Sequence, residues 1–332
     1  MKAVLVDHPG DERVLRLGDA PAPSLVPGAL RIRVHATAVN RADLLQRQGL
    51  YPPPPGASPI LGLECAGEVV EVAPDVEAFR PGDRAMALLA GGGYAEEVVV
   101  DAGSAMPVPE SLSLEAAAAV PEVFLTAHLN LFELGALRDA GSAGGPGGSA
   151  LVHGGGSGVG TAAIQLVKAA RGTVLVTAGS EEKCARCRAL GADAAFDYHG
   201  EWPERVRAET GERGVDVVLD AIGASYLVSN LEVLAVGGRL VIIGLMGGAK
   251  AEIPLGLLLV RRLAVIGSTL RTRSVEQKAA LVAAFQRRFG ADLVAGRIRP
   301  VVDRVLPLEA APEAHRVMKA SEHFGKIVLR VR

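Results

Sequence analysis

Cysteine is scarce: Cys65, Cys184 and Cys187 are the only three in 332 residues. They make no disulfide framework, which excludes a disulfide-stapled scaffold and leads to the expectation of a reduced, cytoplasmic setting. An excess of charge of either sign is also missing. The formal net charge is -2, so nothing electrostatic draws the chain to nucleic acid or to an anionic membrane surface. Long apolar runs are absent too. The start, MKAVLVDHPGDE, is apolar only over residues 3–6, so no signal-peptide core fits there. The most apolar later stretch, residues 253–266, is interrupted by Arg261 and Arg262 and cannot span a bilayer. The seven histidines are scattered without metal-ligand spacing, and no internal repeat is evident. What is present is a globular balance, 49% hydrophobic and 22% charged. The chain is too long for one ordinary core, so two domains are expected. Forty glycines gather in a few turns without a G-X-Y period, which points to close backbone approach to a ligand.

The first third reads as β-rich. Residues 3–7, 29–38, 67–72 and 95–100 form short alternating or β-branched runs, punctuated by Pro27-Gly28 and Pro81-Gly82-Asp83. From about Leu114 helix formers take over, with a break marked at Pro121. A strand–helix alternation follows. Strands are expected at 150–153, 173–178, 194–197, 215–220, 239–244 and 263–268, and helices at 159–170 and 181–190, the second closed by Gly191. Strands this apolar, joined by crossovers, argue for a parallel sheet covered on both faces. A helix at 274–289 and a strand pair, 301–305 and 326–331, around a helix at 310–320 end the chain. That tail is expected to rejoin the first domain, because a six-stranded Rossmann unit is complete by Ser268. The low-complexity tract at residues 141–149 reads as a surface loop.

The segment HGGGSGVG, ending at Gly160, lies between a strand and a helix. Glycines there let main-chain N–H groups approach a pyrophosphate seated at the helix N-terminus. The expected contacts are Gly156, Ser157, Gly158, Val159 and Gly160. The strict G-x-G-x-x-G is broken by Ser157, so the strand–helix setting carries the reading against an ordinary glycine turn. The second strand ends Thr177-Ala178-Gly179-Ser180, without the acid that binds a ribose 2′-hydroxyl in NAD sites. Gly179, Ser180, Lys183 and Tyr198 are therefore expected around a 2′-phosphate, and the cofactor is read as NADPH. Glu181 and Glu182 sit against that reading unless they serve as first-turn acids behind a Ser180 N-cap.

The runs VNRADLLQRQGLYPPPPGASPILGLECAGEVVEVAP and GDRAMALLAGGGYAEEVVV, then GSGVGTAAIQLVK, VDVVLDAIG, GGRLVIIGLMGG and FGKIVL, closely resemble the zeta-crystallin-type NADPH:quinone oxidoreductases, a zinc-free branch of the medium-chain dehydrogenase/reductase superfamily. The resemblance covers essentially the whole chain. It implies a GroES-like β-rich catalytic domain (residues 1–122 and 269–332) and a doubly wound Rossmann NADPH-binding domain with a six-stranded parallel sheet (residues 123–268). It also implies nicotinamide and substrate held in a cleft between the domains, and a homodimer pairing through the 263–268 segment. For the cofactor it adds Thr126, Ile222, Gly223, Gly244, Leu245, Met246, Ser268 and Leu270, with Leu245 and Met246 acting through backbone. Lys326 is left between an adenine-side phosphate contact and a solvated surface position.

Zinc relatives of this architecture carry a Cys near Asn40, a His beside Glu64 and a third ligand before Thr126. This chain has Asn40, Leu63 and Glu122 there and lacks the four-cysteine structural lobe. Catalytic zinc needs about three protein ligands, so no metal is expected. Cys184-x-x-Cys187 reads as a buried or incidental pair. A metal-free site suits an electrophilic substrate such as a quinone, which accepts hydride directly while the protein orients it. Asn40 and Tyr51 are the candidate carbonyl donors, with structural alternatives: Asn40 holding a strand turn, and Tyr51 a lid residue fixed by the prolines at 52–55. Asp43 reads as a helix-start or turn residue. Reduction of an α,β-unsaturated ketone or enoyl group, with Tyr51 as proton donor, and non-catalytic NADPH binding stay as alternatives. No nucleic-acid or membrane partner is expected.

Overall fold

The computed structural model describes residues 1–141 and 147–332, so most of the loop expected at 141–149 lies outside the described residues. The chain divides into two compact units, Met1–Leu125 with Leu270–Arg332, and Thr126–Thr269.

The first unit is built on a seven-stranded sheet. Its long central strand, Ala29–Ala38, alternates in the strand period of two: Leu30, Ile32, Val34 and Ala36 are buried, whereas Arg31, Arg33 and His35 are less so. On one side it pairs antiparallel with Glu64–Val72, which carries Arg84–Leu88 and then Ala105–Pro107. On the other side lies Lys326–Arg330, which pairs in parallel with Val302–Pro307. A parallel pair requires a crossover, and the helix Ala311–Lys319 supplies it. The tail thus lies in the first unit. This helix buries Ala311, Ala314, Val317 and Met318, a three-and-four spacing, against Ile327, Leu329, Val39 and Leu44. Burying each of the larger ones, such as Val317, Ile327 and Leu329, stabilises the fold by roughly 1.5–3 kcal/mol.

The second unit is a six-stranded parallel sheet in the order Ala194–Asp197, Thr173–Ala178, Ser149–His153, Val215–Asp220, Leu234–Ile242, Ala264–Gly267. This is the 3-2-1-4-5-6 order of the Rossmann fold, and ligands bind outside the carboxyl ends of the strands where the order reverses. The helices Gly158–Ala169 and Glu181–Ala189 follow the first two strands, and Gly191, at φ +114°, closes the second as expected.

Two strands start earlier than their sequence suggests. The expected 67–72 strand begins at Glu64, whose charge is paired inside the fold, and the expected 239–244 strand begins at Leu234. There Gly237 and Gly238 run as part of the strand, past a register shift opposite Val215 and Val217. Pro121 does not merely interrupt a helix. It opens one, Pro121–His128, because its fixed φ and missing N–H suit a first helical turn. Among the described residues no helix is long and apolar enough to cross a membrane.

Candidate functional site

In the second unit, the buried strand Ser149–His153 delivers the glycine turn to the carboxyl end of the sheet at its point of reversal. Close packing excludes a side chain at two of its glycines. A Cβ on Gly160 would stand 2.2 Å from the Gly154 carbonyl oxygen, and one on Gly155 would stand 2.8 Å from Val176. Ser157, the departure from the strict motif, is the helix N-cap: its Oγ accepts the Gly160 N–H at 3.0 Å. The N–H groups of Gly156, Gly158 and Val159 find no acceptor among the described residues. Three free donors at the positive end of a twelve-residue helix form a seat for an anion of pyrophosphate type. Behind the turn His153 is locked, with Nδ1 2.9 Å from Thr177 Oγ1 and Nε2 2.7 Å from Asn230 Oδ1. Burial pushes its pKa down to about 4, so the ring is a neutral support.

The second strand ends as the sequence indicated, with no acid. A Cβ on Gly179 would meet the Tyr198 hydroxyl at 2.7 Å, so that ring lies over the strand end while staying 42% exposed. Ser180 caps the next helix, its Oγ accepting the Lys183 N–H at 3.2 Å. Glu181 pairs with Arg188, which directs its charge along the helix. After the fourth strand, Asp220 accepts the N–H groups of Ile222 (2.7 Å) and Gly223 (3.0 Å), and Gly223 adopts φ +84°. Gly244 lies two residues past the fifth strand, where a Cβ would stand 2.8 Å from the Ala221 carbonyl oxygen. Met246 donates its N–H to that carbonyl, which ties the two loops together, while the Leu245 and Met246 side chains are exposed. Ser268 bonds Ile242 through its backbone and leaves its buried Oγ without a partner. Thr126 is buried, its carbonyl accepting from Asn130 at 2.7 Å. Leu270 is buried within the first unit.

The first unit holds a different kind of site, a charged network beneath the strand ends. Lys326 Nζ donates to Asn40 Oδ1 (2.6 Å) and the Val39 carbonyl (2.7 Å), and it pairs with Glu64 Oε1 at 2.8 Å. Its side chain is buried, so it is neither a phosphate contact nor a solvated surface lysine. An ammonium offers only donors, so the Asn40 atom facing it is the oxygen. The Asn40 amide then donates to Glu64 Oε1 (2.9 Å) and the Ala38 carbonyl (3.2 Å). Both amide hydrogens are committed inside the protein. Asn40, a candidate donor to substrate, is thus tied through its side chain to Lys326, Glu64 and the Ala38 carbonyl.

Asp43 starts the helix Arg41–Arg47, accepting the Asn40 N–H at 2.8 Å and the Gly62 N–H at 3.0 Å. Burial raises its pKa to about 6 despite those bonds. A relay runs back from it: Tyr94 Oη lies 3.3 Å from Asp43 and 3.1 Å from His315 Nε2, and Arg47 donates to His315 Nδ1 at 3.2 Å. Arg47 can only donate, so Nδ1 is the acceptor and Nε2 carries the hydrogen. Burial, then the Arg47 charge, holds the His315 pKa down to about 3.

Tyr51 is half-buried, with the Arg271 guanidinium 5.4 Å from its ring centroid. Arg271 also donates to the Tyr51 carbonyl (3.3 Å), the Ala90 carbonyl (2.8 Å) and Gln46 (2.7 Å), and Lys278 donates to the Arg271 carbonyl at 2.8 Å. Burial raises the Tyr51 pKa. Glu122 joins through its backbone N–H, which donates to Glu64 Oε2 at 2.9 Å. Sequence reasoning missed most of this cluster. The one available signal was a lone acid in an apolar setting, Glu64 in LGLECAG and Glu122 in AAAAVPEVF. Among the described residues no three His, Cys, Asp or Glu side chains gather to hold a metal ion. Cys184 and Cys187 are buried free thiols on one helix, and burial pushes Cys187 up to about 12.

A β-rich GroES-like unit and a doubly wound Rossmann unit define the two-part architecture of the alcohol-dehydrogenase-like oxidoreductases. Two family models match, "Alcohol dehydrogenase GroES-like domain" over residues 26–110 and "Zinc-binding dehydrogenase" over residues 158–286. The chain belongs to the medium-chain dehydrogenase/reductase superfamily, in its quinone-oxidoreductase branch. It is 31% identical to a quinone oxidoreductase of Rattus norvegicus, covering 99% of this chain and 97% of that one. It is also 32% identical to a mycocerosic acid synthase-like polyketide synthase of Mycobacterium tuberculosis, covering 97% of this chain but only 15% of that much longer one. Among solved structures, an NAD-dependent alcohol dehydrogenase is similar at 36% identity and a TM-score of 0.86, with 100% of both chains covered. The Escherichia coli quinone oxidoreductase complexed with NADPH is similar at 26% identity and a TM-score of 0.86, with 99% of this chain and 100% of that one covered.

Proposed function

We propose that this chain is an NADPH-dependent reductase that passes hydride to a quinone without a metal. The observation that carries the cofactor reading is the set of free N–H groups on Gly156, Gly158 and Val159, next to a second strand that ends without an acid. The unpartnered Ser268 hydroxyl and the close-packed Gly160 fit a bound dinucleotide as well. Ser180, Lys183 and Tyr198 are the residues for the 2′-phosphate, and backbone at Ile222, Gly223 and Gly244–Met246 is proposed for the rest. The bacterial quinone oxidoreductase solved with NADPH is in keeping with this choice. When bound, the dinucleotide supplies hydride from nicotinamide C4.

The chain's own task is then to hold and polarise the acceptor. At the positions where zinc relatives hold metal, this chain has Asn40 tied to the Lys326 ammonium, Leu63 and Glu122. A quinone is already electrophilic and needs a hydrogen bond to its carbonyl rather than a Lewis acid. With Asn40 committed, Tyr51 is the donor. The assay is NADPH and NADH oxidation with 1,2-naphthoquinone, benzoquinone and an alkenone. Quinone turnover with a lower KM for NADPH is expected, and an NADH preference or no quinone turnover would overturn the assignment. Tyr51→Phe removes one hydrogen bond, so kcat/KM for quinone should fall about tenfold. In the enone reading Tyr51 is the proton donor to the enolate, and its loss would be roughly 10²–10⁴-fold. A homodimer through Ala264–Gly267, the outer strand of its sheet, is proposed with it and is checked by analytical ultracentrifugation.

A further inference from the structure

Glu122 is the second residue of the helix Pro121–His128, and since proline has no N–H, the Glu122 N–H is the first donor of that helix. Glu64 Oε2 accepts it, so the seat for an anion at this helix end is already filled. The other Glu64 oxygen holds Lys326 and the Asn40 amide. Glu122 is therefore a second carboxyl next to one whose two oxygens are already engaged. Its own carboxyl has no hydrogen-bond partner among the described residues, and the residue stays half-buried rather than sealed. The charged groups whose fields act on it are Glu64, Asp43, Lys326 and Lys278. Lys326 is engaged by Glu64, Asn40 and the Val39 carbonyl, and Lys278 by the Arg271 carbonyl. The Tyr51 phenol is close enough to feel the Glu122 charge.

We propose that Glu122 is the acid of this site, the group that returns a proton to the reduced substrate. The inference rests on the quinone-reductase reading and adds the proton to it. Burial first, then Glu64, lifts the Glu122 pKa to about 8, so the carboxyl holds its proton at neutral pH. The neighbouring alternatives are poorer acids or are occupied. Tyr51 is raised above an ordinary phenol, Asn40 has both amide hydrogens committed, and Asp43 and Tyr94 bond one another in their own relay. Hydride addition turns the quinone into a hydroquinone monoanion. The Glu122 O–H bond then breaks, its proton joins the phenolate oxygen, and the electron pair stays on the carboxylate, which regains a proton from solvent. The sum is quinone, NADPH and one proton giving hydroquinone and NADP⁺.

Two measurements test this. The pH profile of kcat/KM for 1,2-naphthoquinone should fall above a pKa near 8. Glu122→Gln should lower the rate by roughly 100-fold or more and lose that limb, and Glu122→Asp should keep a limb. Infrared difference spectra of the protein without cofactor should show a protonated carboxyl at pH 7 that ionises between pH 7 and 9 and is missing from Glu122→Gln. Retention of both rate and limb in Glu122→Gln overturns the proposal. So does the lack of a carboxyl titrating in that range in the wild type, which needs no variant to fold. Failure of the wild type to reduce any quinone would refute the functional reading instead; the infrared titration then still upholds or overturns Glu122 as the protonated acid of the site.

Discussion

The two units bury polar groups in opposite ways. In the first, Glu64, Lys326, Asp43, Arg47 and Glu122 form a network of charges and titratable acids. In the second, the groups directly behind the glycine turn are the neutral His153, Thr177 and Asn230 chain, a single buried acid, Asp220, holds the neighbouring loop, and the working donors are backbone N–H groups of one short turn. A charged network places proton affinity and polarity where a reaction needs them, but each member depends on its partners. A backbone site has no protonation state to lose and depends only on close packing. The difference suits a division of labour, with chemistry in the first unit and binding in the second.

The contrast should show most strongly in Lys326→Met. Removing one partner of a buried pair leaves Glu64 uncompensated and should destabilise the first unit by about 3–5 kcal/mol, read from a denaturant midpoint; a loss below about 1 kcal/mol would mean that the pair is not held as ions. Gly160→Val strikes the second unit through packing. With a Cβ 2.2 Å from the Gly154 carbonyl oxygen, the helix must move off the turn, and NADPH affinity should drop at least 100-fold, about 2.7 kcal/mol.

Titration separates the units more gently. His153 and His315 have folded values, about 4 and about 3, below the unfolded value of 6.5. Each must charge on unfolding in acid, so stability is lost as pH falls from 6.5 toward 4, and His153→Gln should flatten its share of that slope. Glu122 is raised instead, so its contribution is full below pH 4.5 and is lost as pH rises to about 8. A stability curve without that alkaline decline in the wild type would argue against a buried acid in the first unit. The smallest effect belongs to Ser157. Ser157→Ala should cost about 1 kcal/mol through the lost N-cap, and Ser157→Gly only a few tenths.

The same contrast explains what could be read from sequence. The dinucleotide turn was legible because its residues are contiguous and its glycines answer to local geometry, with the strand order following from apolar periodicity. Ser157 looked like a defect only until its hydroxyl was seen capping the helix. In the first unit, Asn40, Glu64, Glu122 and Lys326 come from four distant segments that meet only after the sheet forms. Asn40 stood out as polar but its commitment to Lys326 did not, and nothing local in FGKIVL marks Lys326 as buried. The Arg47–His315–Tyr94–Asp43 relay spans still greater separations and left no trace in any spacing.

Trp202, the single tryptophan, packs with ring centroids 4.9 Å from His153 at the head of the glycine turn. Its fluorescence is thus a direct reporter of the proposed cofactor seat. Titration with NADPH should give a saturable change, at an affinity at least tenfold tighter than for NADH, and Gly160→Val should abolish it. Equal or tighter NADH binding, or no saturable signal with NADPH, would contradict the account.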